Sequence, residues 1–305
     1  MREVSEILKK YNLKTTNYKK IGKTYLIETN NGKYIIKEKL RNTNSDIIRY
    51  LESRNFNYVP KPITDEFDDY EIIPYIDQIE TPEEQKVIDM INLVALLHSK
   101  TTHYKEVATS DYKKIYEDIK NNIEYLNHYY DDVITIIESK VYMSPSEYLL
   151  ARNISKIFAG LFYMENELDD WLDIIIEKRK QRHVVIHNNL EIDHFLKNKN
   201  EYLISWDKSK IDIPIFDLYK LYKKHGIDYD FENILKSYER IYPLLTEERK
   251  LLFILIGIPD KIEFNTSYNE FEKCREITKK IDIIYKTEQL ILPYNSENKE
   301  KNTKS

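Results

Sequence analysis

Glycine is nearly missing from this chain, with five in 305 residues and no G-x-G-x-x-G arrangement, so a complete glycine-rich phosphate loop is excluded. Cysteine is rarer still. Cys274 stands alone, which rules out an intramolecular disulfide and the usual cysteine-built metal patterns and points to a reducing compartment, the cytoplasm. Long apolar runs are absent too. The longest, LLFILIGIP from Leu251 to Pro259, is far short of the roughly 20 residues that cross a bilayer. The N-terminal MREVSEILKKYNLK is amphipathic without the apolar core of a secretory signal, so no membrane insertion is expected. Nor is there an excess of positive charge. Lys+Arg 47 against Asp+Glu 52 gives a net charge of -5, which attracts neither nucleic acid nor anionic lipid, and no nucleic-acid partner is expected.

What is present suits a folded soluble chain of one large domain or two lobes, 41% apolar and 32% charged. The 26 tyrosines read as compositional bias, although tyrosine, with an apolar body and a polar tip, also suits a peptide-binding groove.

The first 75 residues read as a small sheet. Two β-rich runs, Tyr25 to Glu28 and Tyr34 to Lys37, flank Asn30-Asn31-Gly32, a hairpin turn cluster. SDIIRYLESR follows as a short helix, then the extended VPKPI, then the strand YEIIPYI. Beyond that the chain is mostly helical. Thr81-Pro82-Glu83-Glu84 and Ser144-Pro145-Ser146-Glu147 both read as capping boxes with proline in the first turn. The first opens a helix with Val87, Met90, Ile91, Val94 and Leu97 on one face. The second carries Leu149, Ile154, Phe158, Leu161, Trp171 and Ile175. The helical period breaks between 183 and 207, where HVVIH and EYLISW, separated by KNKN, predict a small hairpin. EKRKQRH, just before it, reads as a solvated helix end, and His98 and His103 as packing or helix-end residues. Residues 294–305 read as a disordered tail.

The segment VIHNNLEIDHFLKNKNEYLISWDKSKIDIPIFDLYKLYKK resembles the corresponding stretch of aminoglycoside and choline phosphotransferases and, more closely, of their spore-coat kinase-like relatives. Such proteins read H-G-D-x-x-x-x-N, then I-D-W-E, then P-x-x-D-L. His187 matches the motif histidine, Asn188 the glycine, Asn189 the catalytic aspartate and His194 the metal-binding asparagine. Ser205 falls on the second metal-binding aspartate, Asp207 on the glutamate after tryptophan, and Pro214, Asp217 and Leu218 complete P-x-x-D-L.

The resemblance implies an α+β, bilobal protein-kinase-like fold: a sheet lobe over 1–75 and a helical lobe over 76–293 with an inserted β-hairpin. It also implies that His187 and Asp217 are loop scaffold. Lys37 falls where the phosphate-binding lysine would stand, Asp46 where its acidic partner would, and Ile73 and Tyr75 in the hinge that faces adenine, though Pro74 lacks a backbone donor there. Phosphoryl transfer needs magnesium held by charged oxygens and a carboxylate base. Asn189, His194 and Ser205 supply none of these carboxylates. The expectation is thus a catalytically inactive pseudokinase that binds a protein partner, without a cofactor, in the cytoplasm or, if the source sporulates, in the spore coat. The alternative is an atypical ATP-dependent phosphotransferase acting on a small hydroxyl or amine compound, with Asp207, Glu191 and Asp193 forming a shifted magnesium site.

Overall fold

The computed structural model describes residues 2–22, 24–38, 45–65, 68–264 and 268–302, with side chains from 6 to 294 within them. In chain order the elements begin α1 (Arg2–Lys10), β1 (Thr15–Ile21), β2 (Thr24–Thr29), β3 (Gly32–Glu38), α2 (Ser45–Ser53), β4 (Tyr70–Pro74) and α3 (Glu83–Thr101). There follow β5 (His103–Glu106), α4 (Thr109–Glu138), α5 (Pro145–Ile175), β6 (Lys180–Ile186), β7 (Phe195–Lys197), β8 (Glu201–Leu203) and β9 (Lys210–Asp212). The chain ends with α6 (Ile215–His225), α7 (Phe231–Ile241), α8 (Thr246–Gly257) and α9 (Glu270–Asn302). Helix α9 extends into the stretch read as a tail, and 303–305 lie outside the described residues.

These elements form two compact units, Met1–Thr102 with Val184–Asp212, and His103–His183 with Ile213–Ser305. Strand β6 contributes to both. Val184, Val185 and Ile186 pair antiparallel with β9 in the first unit, while Lys180 to His183 pair with β5 in the second.

The first unit carries an antiparallel sheet in the order β1-β2-β3-β4. The β2–β3 hairpin turns through Asn30-Asn31 with Thr29 opposite Gly32, whose φ of 126° is open to glycine and strained for any other residue. Ile27, Ile36 and Ile72 bury one face of the sheet against Leu8 and Leu13. Strand β1 is a fourth strand absent from the sequence reading. All seven of its residues are exposed, so it lacks the in-out alternation by which a strand is recognised.

Helix α3 buries Val87, Met90, Ile91, Val94 and Leu97, the face read from sequence. Its cap differs: Pro82 is the capping residue and makes no side-chain cap, so the box expected at Thr81 does not form. At its far end the buried Thr101 hydroxyl donates to the Leu97 carbonyl and accepts from Val185 N–H at 3.0 Å, tying α3 to β6. The expected hairpin also differs. EYL pairs with β7 through the Asn198–Asn200 turn, and HVVIH pairs elsewhere as β6. At three residues, β7 is too short to show a period.

In the second unit α4 and α5 run 30 and 31 residues. Ser144 caps α5 as read: its hydroxyl accepts from Glu147 N–H, and Glu147 accepts from Ser144 N–H at 2.9 Å. The buried seam of α5 is Leu150, Ile157, Leu161, Met164, Leu168, Trp171 and Ile175, while Leu149, Ile154 and Phe158 flank it half-buried. Repeats of seven residues within that seam fit helix-on-helix packing. The EKRKQRH run is not a solvated end throughout. Arg182 is 9% exposed, donates from Nε to Glu248 at 2.9 Å and from Nη2 to the Pro243 carbonyl at 2.9 Å, and lies 4.2 Å from the Tyr242 ring centre.

Candidate functional site

Within the first unit the motif segment is held by main-chain geometry. Asn188, in the glycine position of the motif, has φ 63°, the left-handed region that asparagine tolerates better than most residues. Its side-chain amide donates to the Lys208 carbonyl at 2.7 Å. Ser205 is also left-handed, φ 66°, where the chain turns from β8 into the short 3-10 turn Trp206–Lys208. His187 is fully buried, donates from Nε2 to the Ile204 carbonyl at 2.8 Å, and meets the Trp206 ring edge-on at 4.8 Å between centres. Trp206 in turn donates to the Leu203 carbonyl and packs on Phe56. His194 donates from Nδ1 to the Asn189 carbonyl at 2.8 Å. Lys197 of β7 is ion-paired with Asp89 of α3, and Leu203 N–H donates to the Tyr58 carbonyl at 2.8 Å, which fixes the β7–β8 hairpin on the unit.

Beside this segment lies a cavity of about 280 Å³. It brings together Lys37, Ile73, Ser205 and Asp207, four of the residues singled out from sequence. Asp46 and Tyr75 are not part of its lining. Asp217 belongs to the second unit, buried at 1% exposure in the first turn of α6.

The acid beside Lys37 is Glu71, not Asp46. Lys37 and Glu71 are register partners on β3 and β4, with Nζ 3.0 Å from Oε2, whereas Asp46 is 92% exposed and bonded to Arg49 at 2.8 Å. Cross-strand neighbours of opposite charge attract at that separation, and an acid one methylene shorter on a helix does not compete. Glu71 was missed because strand register, which makes the pair, is not written in either strand alone.

The three motif positions offer magnesium no carboxylate. Ser205 offers a neutral hydroxyl, Asn189 an amide, and His194 has one ring nitrogen committed to a carbonyl, leaving a nitrogen lone pair for an ion that prefers charged oxygen. Among the described residues no three His, Cys, Asp or Glu side chains converge on a metal-sized point, and Asp207 is the one of the three acids Glu191, Asp193 and Asp207 that lines the cavity. Lys37 could meet a phosphate only by sharing its charge with Glu71.

No protein-family model and no curated protein matches the chain. Solved structures do. An aminoglycoside phosphotransferase from Alicyclobacillus acidocaldarius aligns with TM-score 0.65 and 9% identity, covering 93% of this chain and 92% of that one. The AMP-bound spectinomycin phosphotransferase APH(9)-Ia aligns with TM-score 0.53 and 16% identity over 93% of this chain and 98% of that one. Identities this low speak to architecture and not to chemistry. The small antiparallel sheet and the larger helical part therefore share the fold of these aminoglycoside phosphotransferases, an α+β kinase-like fold.

Proposed function

We propose that this chain is a pseudokinase that acts by binding a protein partner. One observation carries the reading: the loop is held by its own left-handed turns and carbonyl bonds while its three motif positions carry no carboxylate. Asn188 and Ser205 hold the left-handed turns and His187 its carbonyl bond, yet Asn189, His194 and Ser205 present no carboxylate to a metal or to a substrate hydroxyl. Losing a general base costs about 10²–10⁴ in rate on its own. Losing the metal ligands as well removes the charge that would stabilise a transferring phosphoryl group.

The test is calorimetric titration of ATP, with and without magnesium, into the wild type and Lys37→Ala. No heat in any of the four titrations is the expected result. Magnesium-enhanced binding that disappears in Lys37→Ala overturns the reading.

A second reading rests on a different observation, the presence of Asp207 and Lys37 on one cavity. It makes the chain an atypical ATP-dependent phosphotransferase for a small hydroxyl or amine compound. Nucleotide binding strengthened by magnesium or manganese and lost in Asp207→Ala is its signature. Spore-coat association rests on the sequence resemblance alone, and detection in coat extracts against vegetative lysate tests it. No described helix is long and apolar enough to cross a membrane.

A further inference from the structure

In the second unit, a notch of about 260 Å³ opens between α5 and α9. Its lining includes Ala159 and Gly160 of α5, Ile284 and Ile291 of α9, Met164 and Gly257. Gly160 is the telling residue. The other four glycines have a local reason: Gly22 and Gly32 have positive φ, while a Cβ on Gly226 or Gly257 would come within 2.7 or 2.2 Å of a neighbour. Among the described residues a Cβ on Gly160 would meet nothing within 4 Å, although glycine inside a helix destabilises it relative to alanine. No contact among the described residues calls for that glycine, whereas a molecule seated over it would.

We propose that this notch binds a small, uncharged, mainly apolar molecule. Its size suits a body of one or two rings or a short alkyl chain. Its charges cancel internally, because Lys156 is ion-paired with Glu288 and stands 5.2 Å from the Tyr285 ring centre. The Thr287 hydroxyl is committed as well, donating to the Ile283 carbonyl and accepting from Tyr222 at 2.6 Å. A charged ligand would find no unpaired countercharge among these groups, and an apolar one finds the Ile284, Ile291 and Met164 side chains. The site lies in the second unit and does not depend on the pseudokinase reading.

The probe is N-phenyl-1-naphthylamine, an uncharged apolar fluorophore, titrated into the full chain labelled at its methionine methyls. Of the four methionines, Met164 lines the notch, Met90 is buried in α3 and Met143 sits in the α4–α5 connection, so the methyl signals report location. Saturable binding that shifts Met164 and leaves Met90 and Met143 in place is expected. Gly160→Leu fills the space and weakens binding at least tenfold. Gly160→Ala raises the unfolding temperature yet weakens binding about threefold, which keeps the test decisive if the leucine variant fails to fold. An unmoved Met164 signal, or an affinity in either variant equal to that of the wild type, overturns the proposal.

Discussion

The imidazole of His194 is engaged with the main chain of Asn189: Nδ1 donates to the carbonyl oxygen at 2.8 Å. The residue at the metal-ligand position of the resemblance is thereby spent on holding the residue at the catalytic position.

On the pseudokinase reading, nucleotide chemistry returns only when all three positions are changed together. The combined variant Asn189→Asp, His194→Asn, Ser205→Asp is expected to gain magnesium-dependent ATP binding, seen as calorimetric heat, while each single change stays silent. Aspartate is among the side chains that tolerate the left-handed backbone of residue 205, so the variant should fold. A triple variant that folds and binds no nucleotide would place the defect elsewhere, with the Lys37–Glu71 pair as the first suspect.

That pair is itself measurable. Its side chains are 31% and 13% exposed, so solvent screens it in part, and a double-mutant cycle with Lys37→Met and Glu71→Gln should give a coupling of about 0.2–1 kcal/mol in urea unfolding. The same cycle with Asp46→Asn in place of Glu71→Gln should give none.

In the second unit the Arg182–Glu248 pair is far drier, at 9% and 7% exposure. Glu248→Ala strands the guanidinium and removes the acceptor for Leu245 N–H at the start of α8, so a loss of about 3–5 kcal/mol is expected by denaturant titration. Replacing both charges, Arg182→Met with Glu248→Leu, should recover most of it. Equal losses in the single and double variants would show that the pair is not the cause.

Acid stability has a specific contributor at the start of α5. Hydrogen bonds from Lys140 and from Ser144 N–H hold the Glu147 carboxyl below the usual glutamate range. A group depressed in the folded state lends stability that is complete above its unfolded value, about 4.3, and that fades as pH falls through the lowered folded value. Glu147→Gln should flatten stability against pH in that acid window and leave it unchanged in shape above. Ser144→Ala should cost about 0.5–2 kcal/mol at neutral pH through loss of the cap.

Much of this was legible in the sequence because it is local. Asn30-Asn31-Gly32 announces the β2–β3 turn, and Ser144-Pro145-Ser146-Glu147 announces α5. The motif from His187 to Trp206 placed its residues around one buried histidine. What escaped is long-range. Arg182 reads as one base in a basic run, since the acid that buries it lies 66 residues away. Lys37 finds Glu71 only after two strands choose a register. Helix α5 shows adjacent apolar stripes, and which of them is buried depends on the helices packed beside it.

Strand β1 closes one side of the first unit's sheet, bare along all seven residues and paired only with β2 among the described residues. A border of that kind offers its outer row of amides and carbonyls to any extended chain that arrives, including another copy. Lys19 and Lys20 stand on it as like charges that repel such a visitor. Exchanging them for valine would remove that guard and make the margin a template for fibres.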